Sequence, residues 1–179
     1  MKKVLIIGPG GAGKSTFANQ LGELLNIEVL HLDKFYWRPG WIELSKAEWL
    51  KTVEELLRRD AWIMDGNYSG SLAIRFKECD TVIFLDMPRT ICIWRLLKRA
   101  LMYRNKSRPD MTEGCHERLS LEFILWIWNY RRRTRPKILR MFESDSEGKR
   151  IISLRSQAEI ERFLMVRHTL GSSDQVHHQ

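Results

Sequence analysis

The chain has 179 residues, with 30 Lys and Arg against 22 Asp and Glu for a net charge of +8. That length suits one domain with a real hydrophobic core, and the lack of any apolar run of about 20 residues excludes a membrane span. Three widely spaced cysteines (Cys79, Cys92, Cys115) and no C-x-x-C argue against a disulfide framework or a zinc site.

The chain enters a strand after two lysines, with no signal-peptide apolar region, and is read as cytoplasmic. Val4 to Ile7 is an apolar, β-branched strand. Gly8-Pro9-Gly10-Gly11-Ala12-Gly13-Lys14-Ser15 follows it and satisfies G-x-x-x-x-G-K-[ST]. A helix-competent stretch from Ser15 through Thr16 to Leu25 completes the strand–loop–helix context of a phosphate-binding loop. Glycines let the backbone wrap an anion and turn N–H groups inward, and the helix adds its positive end. This predicts a bound nucleoside triphosphate such as ATP. Lys14 would bridge its β- and γ-phosphates, and the Ser15 hydroxyl would serve Mg²⁺.

Residues 28–32 read as a second strand ending at Asp33, and 34–42 (KFYWRPGWI) as an aromatic loop. Ser45 with Glu48 forms a capping-box signal for a helix to about Arg59. Trp62 to Met64 is a third strand closing on Asp65-Gly66, and 71–77 a short helix. Thr81 to Leu85 is a fourth strand ending at Asp86, and Pro88 begins a helix to about Tyr103. Residues 104–114 have loop chemistry, and 117–142 a helical pattern. Its apolar stripe is Leu121, Ile124, Leu125 and Trp128, and Pro136 should kink or restart it. A fifth strand (150–154) and a closing helix (156–165) follow, and 171–179, with His177 and His178, reads as a disordered tail. Alternating strands and helices imply α/β architecture, a parallel sheet with helices on both faces.

Ligands of such a sheet sit at the carboxyl ends of its strands. There Asp65, with Gly66 allowing close approach, is the preferred metal carboxylate beside Ser15, and Asp86 is read as structural. Asp33 would orient or deprotonate an acceptor hydroxyl, help hold Mg²⁺, or simply be a solvated turn residue. Tyr36, Trp37 and Trp41 would stack on a planar substrate or cap the fold. Trp62, Trp94, Trp126 and Trp128 read as core.

Residues 89–140 hold 14 Lys and Arg against 4 Asp and Glu, whereas the rest of the chain holds 16 against 18. So local a surplus indicates an anion-binding surface. Arg104 and Arg108, flanking a loop, suit a closing lid that neutralises a moving phosphoryl group. Of 131–135, which spans more than one helical turn, only one or two arginines can face a cleft. A rival reading of the same charge is a nucleic-acid-binding protein that uses ATP as a switch.

The glycine loop, a carboxylate ending strand two, Asp-Gly ending strand three and the arginine-bearing loop after strand four together resemble the adenylate kinase-like family of small P-loop kinases. The resemblance covers nearly the whole chain. It implies a P-loop NTPase with a five-stranded parallel sheet of order 2-3-1-4-5 in one domain (1–170), an acceptor-binding segment (33–60) and a mobile lid (103–118). His31 to Trp37, Asp65 to Ser69 and Arg108-Pro109-Asp110-Met111 further resemble the group of DNA topology modulation proteins. Asn67-Tyr68 replaces the Phe-Pro-Arg that clamps a monophosphate in nucleoside monophosphate kinases, leaving Arg75 or Arg38 as substitutes. Asp33 resembles the acid of shikimate- and gluconate-type kinases, Arg104 and Arg108 their lid, and Arg133 or Arg135 their later substrate arginine. The resemblance therefore implies an ATP- and Mg²⁺-dependent kinase of a small hydroxyl- or phosphate-bearing metabolite.

Overall fold

The computed structural model describes residues 1–104, 108–117 and 119–175, with side chains as far as Thr169. The chain opens with β1 (Lys3–Ile7) and α1 (Lys14–Leu25), then β2 (Val29–His31) and a short α2 (Leu32–Tyr36). A small hairpin, β3 (Trp37–Arg38) and β4 (Ile42–Glu43), leads to α3 (Lys46–Leu57). Next come β5 (Trp62–Asp65), α4 (Ser69–Glu78), β6 (Thr81–Leu85) and α5 (Arg89–Met102). After the segment 103–120 the chain continues through α6 (Leu121–Arg133), α7 (Arg135–Asp145), β7 (Arg150–Leu154) and α8 (Gln157–Gln175).

The five longer parallel strands lie in the order β2-β5-β1-β6-β7, which in chain order is 2-3-1-4-5. Strands buried on both faces are nearly continuous runs of apolar side chains, and Val4, Leu5, Ile6 and Ile7 are all fully buried. Alternate residues feed two cores. Leu5 and Ile7 join Trp49, Phe76 and Phe142 on one face, while Val4 and Ile6 join Phe17, Leu21 and Ile160 on the other. The central strand therefore delivers its loop to the middle of the sheet's carboxyl edge.

Local signals behave as their chemistry dictates. The Ser45 side chain accepts from the Glu48 N–H while Glu48 accepts from the Ser45 N–H, closing the capping box, a device that contributes about 1 kcal/mol. Pro136 lies in the first turn of α7, so the long helical pattern restarts at Thr134. Cys79, Cys92 and Cys115 are buried free thiols, and no helix among the described residues is long and apolar enough to cross a membrane.

Four expectations are corrected. Residues 34–42 form the end of α2 and a hairpin rather than a loop, because the aromatic segment pairs Trp37 with Glu43 and Arg38 with Ile42. Helix α6 begins at Leu121, not at Glu117, and its buried residues are Ile127 and Tyr130. Leu121, Leu125 and Trp128 of the expected stripe are exposed, as is Trp94. The helix is apolar nearly all round, so periodicity alone does not choose its inner face; on its outer face Arg89 lies over Trp128, and on α5 Lys98 lies over Trp94. Finally, α8 runs on to Gln175 and so enters the stretch read as a tail; residues 176–179, with His177 and His178, lie outside the described residues.

Candidate active site

The loop from Gly8 to Gly13 is held from three sides. Gly11 has φ +76°, and a Cβ there would lie 2.2 Å from the Cys92 carbonyl oxygen of α5. At Gly10 a Cβ would come within 2.5 Å of Phe123 Cζ on α6, so helix packing as well as backbone conformation requires glycine. On the third side Asn67, after β5, exchanges two bonds with Gly8: the Gly8 N–H donates to Oδ1 (3.1 Å) and Nδ2 donates to the Gly8 carbonyl (2.7 Å). Helix α1 starts after Gly13 with no side-chain cap and no acidic residue in its first turn. Its leading N–H groups are thus left for an anion. Lys14 Nζ donates to the Pro9 carbonyl at 3.1 Å, a bond that it can exchange for a phosphate oxygen.

Neighbouring strands β2 and β5 set His31 beside Asp65. Asp65 is buried, and its Oδ2 lies 3.1 Å from His31 Nδ1, whose ring is held from behind by Asn19 Oδ1 2.9 Å from Nε2. Asp65 Oδ1 is buried and has no hydrogen-bond partner. An orphaned carboxylate oxygen is costly to bury, and this one fits a cation or its water shell. Ser15 and Asp110 line the same cleft. Among the described residues no group of three or more His, Cys, Asp or Glu is gathered to hold a metal ion. A hydroxyl, one carboxylate, water and phosphate oxygens are instead the pattern Mg²⁺ accepts.

Asp33, on α2, accepts a 2.5 Å hydrogen bond from Tyr68 Oη, and Arg108 Nη2 lies 3.9 Å away. Desolvation in the cleft raises its carboxyl above the usual range, and Asp65 adds to this; the Tyr68 bond, Arg108 and Lys14 oppose it. Arg108 also pairs with Asp110 (2.9 Å) and Glu117 (2.8 Å), and Glu117 in turn takes Arg99 (2.9 Å). This segment is latched onto the hairpin. Thr112 Oγ1 donates to the Trp37 carbonyl (2.7 Å), Trp41 Nε1 to that of His116 (2.9 Å), and the Gly40 N–H to that of Gly114 (3.3 Å). The phosphate loop, the carboxylates, residues 108–117 and the hairpin enclose one cleft of about 1240 Å³.

No protein-family model matches the chain. Over 91 residues it is 33% identical to an adenylate kinase of Thermosipho africanus, a match that takes in 49% of the chain and 41% of the relative. The chain thus spans less than half the length of that relative. A shikimate kinase of Buchnera aphidicola is 27% identical over 145 residues, 72% of the chain and 79% of the relative. Among solved structures, the shikimate kinase from Acinetobacter baumannii in complex with shikimate superposes with a TM-score of 0.60 at 21% identity, covering 97% of this chain and 94% of that one. The fold is that of the P-loop kinases.

Several residues expected at the site of this P-loop kinase fold lie elsewhere. Arg104 is exposed and does not line the cleft, whereas Arg99, one turn earlier on α5, does. Arg38 is exposed and bound to Glu48 at 2.7 Å. Arg75 is fully buried, its guanidinium donating to the Gly66, Asn67 and Tyr68 carbonyls, so neither substitutes for a monophosphate clamp. Arg133 is exposed at the end of α6, and Arg135 donates through Nε to both oxygens of Asp86 (3.1 and 2.9 Å). That ion pair is the structural role of Asp86. Tyr36 stands behind the cleft wall, bonded to Glu43 (2.9 Å) and packed on Tyr68, while Trp37 and Trp41 line the cleft itself.

Asp65, Ser15, Asp33, Arg108, Lys14 and Thr16 do line one cavity of the P-loop kinase fold. The sequence reading missed His31, Asn67, Tyr68, Arg95, Arg99 and Asp110. Arg95 Nη1 donates to the Ala12 carbonyl (3.1 Å) and Nη2 to Gln157 Oε1 (2.9 Å), tying α5 and α8 to the loop. Asn67-Tyr68 was visible as a departure from the kinase pattern. Its partners, Gly8 and Asp33, are too distant in sequence for spacing to suggest.

Proposed function

We propose that the chain is an ATP- and Mg²⁺-dependent phosphotransferase whose acceptor is a small, uncharged, hydroxyl-bearing metabolite. The observation that carries this reading is Asp33: a carboxyl fixed by Tyr68 and facing Arg108, in the same cleft as Lys14. A proton acceptor within reach of a phosphate loop is what transfer to a hydroxyl requires.

In this scheme the amides of 8–15 and Lys14 hold the triphosphate, with Lys14 leaving the Pro9 carbonyl. Ser15 and Asp65 hold Mg²⁺, which would neutralise charge on the phosphates. Asp33 orients the acceptor hydroxyl and takes its proton, and Arg108, backed by Arg99 through Glu117, meets charge developing on the transferred group. The lid's bonds to the hairpin keep water out. A neutral acceptor is favoured over a monophosphate because Arg38 and Arg75 are engaged elsewhere. Trp37 and Trp41 offer apolar faces suited to a ring.

A screen of sugars, polyols and nucleosides, with cyclic hydroxy acids as charged comparators, for acceptor-dependent ADP release tests this. At least one neutral acceptor should raise turnover more than tenfold over hydrolysis, and Lys14→Ala and Asp33→Asn should both remove the rise. Slow hydrolysis alone, unchanged in Lys14→Ala, would contradict it.

A second reading, an ATP-switched DNA-binding protein, draws on the exposed Arg131, Arg132 and Arg133 at the end of α6. It requires DNA affinity that falls steeply with salt and depends on those arginines.

A further inference from the structure

A second cavity, of about 230 Å³, shares no lining residue with the large cleft. Its walls come from the start of α5, the end of α6, the start of α7 and the turn after β7. They carry four arginines, Arg89, Arg131, Arg135 and Arg155, against the single carboxylate of Asp86. Both Asp86 oxygens already accept from Arg135 Nε, and Arg155 Nε stands 4.0 Å off. Arg89 lies over the Trp128 ring at 3.8 Å, a contact that uses the guanidinium face and leaves its edge donors available. The positive charge of the cavity is therefore not balanced from within.

A second observation points to a ligand. Tyr130 is 3% exposed, its hydroxyl is buried, and that hydroxyl has no hydrogen-bond partner although it lines a cavity of arginines. A buried phenol normally finds a partner. Burial raises its pKa well above the ordinary phenol value, with Asp86 adding to the effect, so it remains a donor. A buried donor without an acceptor, beside four arginines that share one carboxylate, is the chemistry of an anion site.

We propose that this cavity binds a small phosphate-type dianion, inorganic phosphate or the phosphate group of a monoester, held by Arg89, Arg131, Arg155 and the Tyr130 hydroxyl. The volume encloses one tetrahedral anion and a few attached atoms, and arginine's planar fork suits its oxygens. Pro9 of the phosphate loop forms part of the wall, and its carbonyl is the acceptor for Lys14 Nζ. Occupancy is thereby coupled to the position of the lysine that the nucleotide needs. The assignment of the cavity stands without the kinase reading; the coupling rests on it.

The test is calorimetric titration of inorganic phosphate into the full chain, using Lys14→Ala to remove binding at the loop. In that variant phosphate should still bind at one site. Adding Arg131→Ala and Arg155→Ala, both at exposed positions, should weaken it more than tenfold, and Tyr130→Phe several-fold, with melting temperatures confirming that each variant folds. Loss of all phosphate binding with Lys14→Ala alone, or binding indifferent to the arginine pair, would overturn the assignment. So would a DNA duplex that binds through these arginines while phosphate gives no heat. Failure of nucleotide binding in the large cleft would leave these outcomes unaltered.

Discussion

Asn67 and Gly8, 59 residues apart, satisfy each other's amide groups, with the Gly8 N–H on Oδ1 at 3.1 Å and Nδ2 on the Gly8 carbonyl at 2.7 Å. The first residue of the phosphate loop is thus pinned to the turn that follows Asp65. Two central strands deliver the loop and the acid separately, and this pair fixes their spacing. Asn67→Ala leaves both Gly8 groups unpaired in a half-buried setting, a loss of about 1–2 kcal/mol. Affinity for Mg·ATP should fall roughly five- to thirtyfold by calorimetry, with a melting temperature only slightly lower.

Asp33 should trade stability for chemistry. Its carboxyl titrates above the ordinary value of 3.8 when folded. Between the unfolded and folded values the native state holds the extra proton, so stability falls as pH rises through that window. At neutral pH the ionised group is therefore a net cost. Asp33→Asn should raise the melting temperature at pH 7 while lowering turnover at least a hundredfold. The acid limb of kcat/KM for the unmodified chain should lie above 3.8; a variant that melts lower and keeps its turnover would refute this role.

Asp65 owes its orientation to His31, whose Nδ1 holds Oδ2 at 3.1 Å and leaves Oδ1 unpartnered. Replacing the carboxylate by an amide should therefore raise the Mg²⁺ concentration needed for half-maximal nucleotide binding more than tenfold. His31→Ala should raise it less, through disorder of the acid. Equal Mg²⁺ dependence in all three proteins would remove Asp65 from the metal site.

Arg75 is structural. It sits with 0% exposure, and its guanidinium donates to three consecutive carbonyls, those of Gly66, Asn67 and Tyr68. Arg75→Met should cost about 3 kcal/mol, seen as a lower urea midpoint. Because the same turn carries Asn67 and Tyr68, nucleotide binding and turnover should suffer together.

The parts of this protein that local chemistry dictates were legible without a structure. The apolar run ending in the glycine octet, the capping box at Ser45 and the strands ending at Asp65 and Asp86 need only nearby residues to make sense; alternating strands and helices give a parallel sheet, and its order of strands is what the resemblance to small P-loop kinases implies. The face of α6 was not legible. Leu121, Ile124, Leu125 and Trp128 have as good a spacing as the face carrying Phe123, Ile127 and Tyr130, and only the loop at Gly10 decides between them. Arginine roles failed for a related reason. Arg99, Arg104, Arg108 and Arg135 are alike in sequence, and what sorts them is the position of two acids, Glu117 and Asp86. Trp37 and Trp41 form a hairpin because residues 111–116 supply the carbonyls and donors that hold it, a partnership no local pattern records.

The central claim is that the octet ending at Ser15 grips a triphosphate with Mg²⁺. Titration of a non-hydrolysable ATP analogue with Mg²⁺ into the full chain tests it most directly. The account predicts one saturable site, weakened at least a hundredfold by Lys14→Ala and dependent on Mg²⁺ through Asp65. An absence of heat for every common triphosphate, or identical binding by Lys14→Ala, would contradict it.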